Sequence, residues 1–250
     1  MQTVLPTPTT DSQDNQTEIK TNKAQTITRS NLLRMPAVTI EGAAADEHQY
    51  VDLGLTSGLK WATCNIGADA PEEYGDYFAW AETEPYYSSL APLAWKDGKT
   101  GYSWGTYTWC EGSYNTRTKY CVSNSFGIVD NKTVLEAEDD AAYVNWGSSW
   151  RMPTDDEWTE LMTECDWTWT TLNGVNGRLV TGPNHNSIFL PAAGSWFETD
   201  LEDTGAVGLY WSSSLGTTSD YGWCTSLDSY SLFHTSYCRF FGQSIRPVKD

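Results

Sequence analysis

The sequence predicts an α+β domain that follows a polar N-terminal arm. Only two segments carry helical signals, whereas many short strand-like segments are separated by Gly, Asn and Pro turns. The start of the domain is marked by its aromatic residues, because all 13 Trp, 14 Tyr and 7 Phe lie at or after Tyr50. The chain is long enough to bury one large core, and aromatic residues supply most of it.

Residues 1–47 are rich in Thr, Gln, Asn, Asp and Pro and contain no aromatic residue. Such a composition buries too little apolar surface to offset the entropy lost on ordering. We therefore predict a flexible or partner-ordered arm over 1–47 and a folded domain over 48–250. The more apolar segment 26–40 is predicted to order against a partner or against another copy of the chain, so a homo-oligomer through the arm is one expected state.

The domain is predicted to open with a β-hairpin, in which 50–55 and 59–64 are the strands and Thr56-Ser57-Gly58 is the turn. Residues 86–121 then show little periodicity and much Gly, Ser, Thr, Tyr and Trp. They predict a long irregular excursion stabilised by aromatic packing. In an oxidising compartment a disulfide between Cys110 and Cys121 is one way to hold it, although the cysteine spacing permits disulfides without requiring them.

Two helices follow. The first is predicted over 136–145, with acidic residues at its start and Gly147 just past its end. The second begins after Thr154, which forms a capping box with Glu157. Its apolar stripe recurs at helical spacing, and its members are Trp158, Leu161, Met162 and Cys165. Cys165 is accordingly predicted to be a buried thiol.

The last third of the domain is predicted to consist of short strands. Asn173-Gly174 and Asn176-Gly177 are turn dipeptides. Cys224 and Cys238 lie fourteen residues apart in a strand-like region, so they are candidates to face each other across a hairpin. The predicted strands are 178–181, 187–190, 208–212, 221–227 and 243–248.

The charge of the chain excludes several classes of partner. A net charge of −18 without any basic cluster repels phosphate backbones and anionic membrane surfaces, so we expect no nucleic acid and no membrane insertion. The sequence contains no run of about 18 apolar residues, so no membrane-spanning helix is predicted. The first ten residues have neither a basic nor an apolar region of the kind that a secretory signal needs. If the protein is exported, we expect a trimmed N-terminus or assembly into a larger particle.

Several motifs in order resemble one known family. They are VDLGLTSGLKWATCNIGA, PEEYGDYFAWAET, DDAAYVNWGSSWRMPTDDEWTEL, NSIFLPAAG, LYWSSS and SIRPV. This series, which covers about 50–248, is similar to the Fibrobacter major paralogous domain family, in the formylglycine-generating-enzyme-like branch of the C-type lectin fold. The resemblance implies a C-type-lectin-like domain with adjacent terminal strands, two helices on a twisted, mostly antiparallel sheet, and long loops.

The same branch includes the variable proteins of diversity-generating retroelements, whose varied positions lie near the C-terminus on a ligand surface. The matching segment here lies between LYWSSS and SIRPV and is rich in Tyr, Ser, Asp, His, Phe and Cys. The resemblance thus implies a binding surface over 221–241, and it makes retroelement diversification an expectation.

Residue chemistry supports a binding surface in this segment, because Tyr and Trp give rigid contact area and Ser, Asp and Gly supply adaptable hydrogen bonds. Since strand residues alternate between two faces, we expect about half of the candidates to be exposed and the rest to be core. Arg239 and Arg246 are predicted to be structural partners of buried acids or carbonyls. The candidate ligand contacts are Tyr221, Trp223, Asp228, Tyr230, Phe233, His234, Tyr237, Phe240 and Phe241.

An enzymatic function is less favoured than a binding function. The formylglycine-generating activity of the resembling branch requires two close cysteines near the C-terminus, whereas Cys238 stands alone in its stretch. Serine hydrolase chemistry is not favoured either, because His48 and His185, two of the possible bases, are predicted to be solvated. The acids have no EF-hand spacing, and the Glu-Pro-Asn and Trp-Asn-Asp motifs by which many animal C-type lectins hold calcium and sugar do not occur. Calcium-dependent sugar binding is therefore not implied, and no cofactor is expected. A structural calcium held by loop carboxylates such as Asp139, Asp140 or Asp203 is the remaining metal hypothesis, with helix capping as its alternative.

The sequence therefore predicts a non-enzymatic, adhesin-like protein that binds an extracellular protein or glycan. It is expected to face the outside of the cell, on a bacterial surface or on a phage virion such as its tail. The alternative is a structural surface or virion component without a ligand of its own. That alternative predicts few exposed aromatic residues near the C-terminus, whereas a binding protein predicts a contiguous patch.

Overall fold

The computed structural model describes residues 9–10, 16–17, 48–88, 94–96 and 98–250. Residue contacts divide the chain into two compact units, Met1–Ala44 and Ala45–Asp250. In the first unit β1 (Thr9–Thr10) pairs antiparallel with β2 (Gln16–Thr17). Segment 26–40 lies outside the described residues, so the ordering of the arm stays a prediction.

The second unit consists mostly of short antiparallel strands, with two α-helices between them, and the predicted α+β class is confirmed at this level. The helices are α1 (Ala141–Trp146) and α2 (Asp155–Glu164), preceded by a 3-10 helix over Ala137–Asp139. The strands are β3 (Tyr50–Asp52), β4 (Lys60–Ala62), β5 (Tyr87–Ser88), β6 (Ala94–Trp95), β7 (Asp166–Leu172), β8 (Val175–Thr181), β9 (Ser187–Pro191), β10 (Ser195–Phe197), β11 (Asp200–Glu202), β12 (Gly208–Leu215), β13 (Tyr221–Leu227), β14 (Leu232–Cys238) and β15 (Val248–Lys249).

Three sheets of three strands organise this unit. Their strand orders are β15-β4-β3, β7-β8-β9 and β12-β13-β14, and β5-β6 and β10-β11 form separate pairs. The hairpin predicted at the start is present as β3 and β4, and β15 pairs with β4, so the first and last strands of the unit share a sheet. Among the residues described, no helix is both long and apolar enough to cross a bilayer.

Helix α2 begins where its capping signals predict. The Thr154 side chain accepts a hydrogen bond from the Glu157 N–H, and the Glu157 carboxylate accepts one from the Thr154 N–H. Trp158 and Leu161 are fully buried. The prediction for Cys165 is wrong, because this residue is the extended C-cap and its side chain is only half-buried. The helix therefore presents two large core side chains, fixed by its own first turn.

Helix α1 is shorter than the helix predicted over 136–145. Asp140 is extended (φ −89°, ψ 112°) and separates the 3-10 turn from α1. Its carboxylate accepts hydrogen bonds from the N–H groups of Ala142, Tyr143 and Met152. Gly147 closes the helix at φ 96°, as predicted. Asp140 thus ends one helical segment and caps the next.

The observed turns and strands differ from the predicted ones in several places. Asn173-Gly174 forms the turn between β7 and β8, whereas Asn176-Gly177 lies inside β8. Residues 243–248 are not one regular strand, because their backbone groups pair with several separate segments before β15 begins. The aromatic stretch Leu232–Cys238, for which no strand was predicted, is the edge strand β14.

The core is built largely from aromatic side chains on both sides of the β12-β13-β14 sheet. On one side Trp158 and Tyr210 pack with Trp61, and on the other Trp211 packs with Trp80. A third cluster joins the excursion over 86–121 to the sheets through Tyr77, Tyr86, Tyr102, Tyr107 and Phe240. Aromatic packing on this scale stabilises the described part of the excursion, in which the short β5-β6 pair supplies few backbone hydrogen bonds.

The excursion over 86–121 is held by buried hydroxyl groups. Tyr102 donates its hydroxyl to the Tyr77 carbonyl at 2.6 Å, and Tyr107 donates to the Trp80 carbonyl at 2.7 Å. The disulfide considered for this segment is absent, since Cys110 and Cys121 are both free thiols. Hydroxyl groups on large rings, each with a hydrogen-bond partner, therefore hold this segment without the disulfide that was considered for it.

Candidate functional site

The nine candidate contacts lie on or next to the hairpin that β13 and β14 form. The register pairs Tyr221 with Cys238, Trp223 with Ser236 and Thr225 with His234. It does not bring Cys224 opposite Cys238, so the prediction that these two thiols face each other is wrong; Cys224 lies opposite Thr235. Both remain free.

The strand alternation divides the candidates between two faces of the sheet. Tyr221, Trp223 and His234 share the face on which α2 packs, since His234 bonds to residues of that helix. Phe233 and Tyr237 point to the opposite face, where Tyr237 packs against the Trp80 and Trp211 cluster. The candidates therefore do not form the single contiguous patch that was expected.

The exposure of the candidates is also lower than expected. Tyr230 is 97% exposed and Phe233 46%, whereas Phe240 is 7% exposed and belongs to the core. The Phe240 ring lies 4.7 Å from Trp104 and 4.9 Å from Phe241, between centroids. Phe240 is therefore corrected from a ligand contact to a core residue. The remaining six candidates are half-buried: Tyr221, Trp223, Asp228, His234, Tyr237 and Phe241.

His234 connects β14 to α2. Its Nδ1 lies 3.1 Å from an Asp155 carboxylate oxygen, and its Nε2 lies 3.0 Å from the Thr159 hydroxyl. The Nδ1–carboxylate approach does not have hydrogen-bond geometry, and the Thr159 hydroxyl donates to the Asp155 carbonyl one helical turn back. The arrangement ties the sheet to the helix, and it gives His234 a packing role rather than a free ligand-binding ring.

The tip of the hairpin, residues 228–231, is ordered by its own side chains. The Asp228 carboxylate accepts hydrogen bonds from the N–H groups of Tyr230 and Ser231 and from the Ser231 hydroxyl, at 2.6 to 2.7 Å. The Ser231 hydrogen bond lowers the pKa of Asp228, with further contributions from the backbone N–H groups. Asp228 therefore shapes the turn, and this role accounts for its carboxylate without a ligand.

Arg178 of β8 anchors the same tip from beneath. Its guanidinium donates to the carbonyls of Asp228 and Ser231, and also to the carbonyl of Trp167. Arg178 is 9% exposed, whereas Tyr230 above it is almost fully exposed. The result is a fixed turn that presents one large aromatic side chain to solvent.

Buried arginines also hold other loops through carbonyl groups. Arg246 donates to the carbonyls of Ala62, Thr63 and Phe189, and Arg239 donates to carbonyls that include that of Ser219. Both side chains are fully buried, which confirms the structural role predicted for them. Their role was predictable because a planar guanidinium suits several acceptors at once.

The structural roles of two further arginines, Arg178 and Arg117, were not predicted from the sequence. Arg117 is fully buried, and its guanidinium carbon lies 3.6 Å from the centre of the Trp104 ring. A lone arginine beside a turn carries little signal of its own in a sequence. His48 was also misjudged: its ring stacks on Trp146 at 3.8 Å between centroids, so it belongs to the packed domain. His185 occupies a turn, as predicted, with φ 68°.

Two of the three calcium candidates, Asp139 and Asp140, use their carboxylates in contacts within the chain. Glu136, Glu138 and Asp139 bring carboxylate oxygens close together, but the Lys119 ammonium lies among them, 2.5 Å from Asp139 and 2.8 Å from Glu136. Asp139 also accepts a hydrogen bond from Tyr120. A lysine ammonium thus provides the positive charge that the calcium hypothesis assigned to a metal.

Thiol chemistry has little support in this geometry. Burial raises the pKa of the Cys224 thiol, which is fully buried, and also raises that of Cys238. A thiol whose pKa is raised is mostly protonated near neutral pH, so it is a poor nucleophile and a poor ligand for a soft metal.

No protein-family model matches the chain, and no curated protein and no solved structure is significantly similar to it. The C-type-lectin-like expectation therefore rests on the sequence motifs, while the α+β architecture rests on the strands and helices described above.

Proposed function

We propose that this chain is a non-enzymatic binding protein whose contact surface is centred on the tip between β13 and β14. The observation that carries the proposal is Tyr230, a nearly fully exposed aromatic side chain on a turn held by Asp228 and Arg178. A rigid turn loses little entropy on binding, and tyrosine is a frequent contributor of binding energy at interfaces. Phe233, also exposed, extends the contact surface along β14.

The finer fold is part of the same proposal. We infer a C-type-lectin-like domain of the formylglycine-generating-enzyme-like branch, on the strength of the motif series and of the adjacent terminal strands β3, β4 and β15. Its setting would be outside the cell, on a bacterial surface or a phage virion, with an extracellular protein or glycan as the ligand.

Two rival functions fit the contacts less well. An oxidase of the formylglycine-generating type needs two close reactive thiols, whereas Cys224 is buried and out of register with Cys238. A purely structural component predicts few exposed aromatic residues near the C-terminus, and two of the nine candidates are exposed, so exposure alone does not favour binding. The hydrogen-bonded turn that holds Tyr230 in solvent is the observation on which the binding proposal rests.

Binding assays on the full chain test the proposal. The labelled protein is applied to an array of glycans and extracellular proteins and to intact bacterial cells, and its affinity for whatever it retains is measured. Replacing Tyr230 and Phe233 together with serine should weaken that affinity at least about tenfold, since the two rings are the exposed anchors. Tyr114→Ser is the matched control, because Tyr114 is 54% exposed but lies outside the hairpin. Equal losses in both variants, or no retention on any surface, would overturn the proposal.

Retroelement diversification has its own test in related sequences. We expect substitutions among sibling chains to concentrate between Trp211 and Ile245, with a near-identical template repeat and a reverse transcriptase encoded nearby. Siblings that differ evenly along the chain would refute this part while leaving the binding proposal intact.

A further inference from the structure

Strand β14 leaves one side of its main chain unpaired. It lies at the edge of the β12-β13-β14 sheet and pairs with β13 over seven residues without a bulge. The other edge of this sheet, on β12, is covered, because Ser244 accepts a main-chain hydrogen bond from Trp211 and donates one to Leu209. The sheet therefore has one edge that the chain covers and one that, within the described residues, no strand covers.

The register shows which groups of β14 point away from β13. Just beyond the paired residues, the Arg239 N–H donates to the Asp220 carbonyl at 3.1 Å, so these two residues form a hydrogen-bonded pair. Hydrogen-bonded and non-hydrogen-bonded pairs alternate along an antiparallel ladder, so alternate residues of β14 turn their N–H and C=O groups outward. The three residues that lie between the ends of the strand pair in this orientation are Leu232, His234 and Ser236. In the described part of the chain, these outward groups have no hydrogen-bond partner.

Little in β14 protects this edge against a further strand. Edge strands of natural proteins commonly carry lysine, proline, a bulge or an inward-pointing charge. The sequence of β14, LFHTSYC, contains no lysine, arginine, proline or carboxylate. A regular edge of seven residues is long enough to hold an extended peptide through alternate main-chain groups.

The side chains beside the edge are accessible. Phe233 is 46% exposed, and the other six residues of β14 are half-buried. Phe233, Thr235 and Tyr237 share one face of the strand, so β-branched or aromatic side chains of an added strand can pack beside them. Such cross-strand contacts add to the main-chain hydrogen bonds that the edge offers.

The charge of the protein indicates the kind of strand that fits. The chain carries a net charge of −18. Part of its positive charge is turned inward, because four arginine side chains are buried: Arg117, Arg178, Arg239 and Arg246. Carboxylates also lie beside β14, with Asp155 3.1 Å from His234 Nδ1 and Asp228 at the tip that leads into the strand. A basic segment is attracted to such a surface, whereas a second copy of this chain is repelled.

We propose that the outer edge of β14 binds an extended, basic segment of another protein, which adds to the sheet as a further strand. The outward N–H and C=O groups of Leu232, His234 and Ser236 hold its main chain, and its lysine or arginine side chains meet the acidic surface around the strand. This inference rests on the proposed function and deepens it, because it makes the ligand of the same hairpin a polypeptide rather than a glycan. Its contacts are main-chain groups of β14 and not the side chains of the tip, so the two proposals can fail separately.

Amide hydrogen exchange of the full chain, followed by NMR at single residues, tests the premise. The N–H groups of His234 and Ser236 should exchange rapidly, whereas those of Phe233, Thr235 and Tyr237 bond to β13 and should exchange slowly. Equally slow exchange of both sets in the free protein would show that the edge is already covered, and it would overturn the proposal.

A basic peptide of high strand propensity tests binding. The probe is the nonapeptide Lys-Thr-Val-Thr-Lys-Thr-Val-Thr-Lys with blocked ends. One control has glutamate in place of lysine, and the other keeps every side chain but is N-methylated at its interior residues, so that these cannot donate main-chain hydrogen bonds. We expect the basic peptide to bind with a Kd of about 1 mM or below and to slow the exchange of the His234 and Ser236 N–H groups. Both controls should bind at least about tenfold more weakly. Equal binding of either control, or no binding of the basic peptide up to about 10 mM, would overturn the proposal.

Proline substitution locates the site. The outward N–H of Ser236 takes no part in the ladder with β13, so Ser236→Pro removes one donor and blocks the edge while the strand stays paired. The matched control is Thr171→Pro on the edge strand β7, where the partner Asn176 bonds to Ala192 on its other side and the Thr171 N–H also points outward. We expect Ser236→Pro to weaken binding of the basic peptide at least about tenfold and Thr171→Pro to leave it unchanged. Urea unfolding checks that both variants are folded, and the N-methylated peptide still decides if Ser236→Pro is not. An unchanged affinity in a folded Ser236→Pro variant would contradict the assignment.

Further outcomes separate the possible occupants of the edge and the two proposals. Self-association of the wild-type chain that is seen by sedimentation and lost in Ser236→Pro would assign the edge to a second copy and overturn the inference. A protein ligand whose affinity falls when Tyr230 and Phe233 are replaced by serine, but not in Ser236→Pro, leaves the proposed function standing and refutes strand addition. The reverse result supports strand addition and refutes the tip as the centre of the contact surface.

Discussion

Replacing Asp140 offers a quantitative check on how the helical layer is held. Its carboxylate accepts three backbone N–H groups, two in the first turn of α1 and one from the buried Met152, at 2.8 to 3.1 Å. Loss of an N-cap costs about 1 kcal/mol, and an unsatisfied buried N–H costs about 1–3 kcal/mol. Burial raises the pKa of Asp140, so relief of its desolvation offsets part of that loss in an alanine variant.

We therefore expect Asp140→Ala to lower the free energy of unfolding by about 2–3 kcal/mol. Asp140→Asn should cost about 1–2 kcal/mol, since the amide oxygen still caps α1 but the amide N–H group faces the Met152 N–H. Asp156→Ala is the control, because Asp156 is exposed at the start of α2, and its loss should stay within about 0.5 kcal/mol. Urea unfolding followed by tryptophan fluorescence measures all three. An alanine variant as stable as the control would refute this account of the cap.

Three further predictions follow from single contacts. Hydrogen bonds from two lysines lower the pKa of Glu136 to about 2 from 4.5. The stabilising contribution of Glu136 is therefore present above about pH 4.5 and is lost as the pH falls towards 2. Glu136→Gln should make Tm fall less steeply as the pH is lowered, and an unchanged profile would contradict this. A Cβ on Gly222 would lie 2.6 Å from the Trp80 ring, so Gly222→Ala should lower the free energy of unfolding in urea by about 1–3 kcal/mol. Gly105→Ala is the control and should lower it much less, because the nearest atom to its Cβ would be 3.6 Å away. Equal losses in the two variants would argue against a rigid Trp80. Cys224 is fully buried, so a thiol reagent at pH 8 should modify it only when the protein unfolds. Mass spectrometry identifies the modified cysteine. Rapid modification of Cys224 in the native protein would show that the core opens.

The sequence predicted best those elements that are encoded locally. Helix α2 begins at its capping box, and Asn173-Gly174 makes its turn, because each depends on residues within a few positions. Strand β13 was predicted with its observed bounds. For β14 a hairpin was considered around Cys238 but no strand bounds were predicted, because its alternation becomes visible only when the register with β13 is known. The long-range hydrogen bonds of 243–248 to separate segments left no local pattern to find.

The candidate surface shows the same limit. The composition of 221–241 favoured an aromatic-rich binding surface, but it did not show which rings point outward. Phe240 turns into the core through contacts with Trp104, far away in sequence. Tyr230 stays outside because Asp228 closes the turn beneath it. Exposure depends on partners elsewhere in the chain, and composition contains no information about them.

The way Arg178 holds the hairpin tip affects how the tip can change. Its acceptors at the tip are the main-chain oxygens of Asp228 and Ser231, and every amino acid supplies such an oxygen. Exchanging the side chains at Tyr230 or Phe233 therefore leaves these bonds in place, provided that the Asp228 carboxylate is kept. A library randomised at those two positions should consist mostly of folded proteins, so new specificities could arise there at little expense in stability.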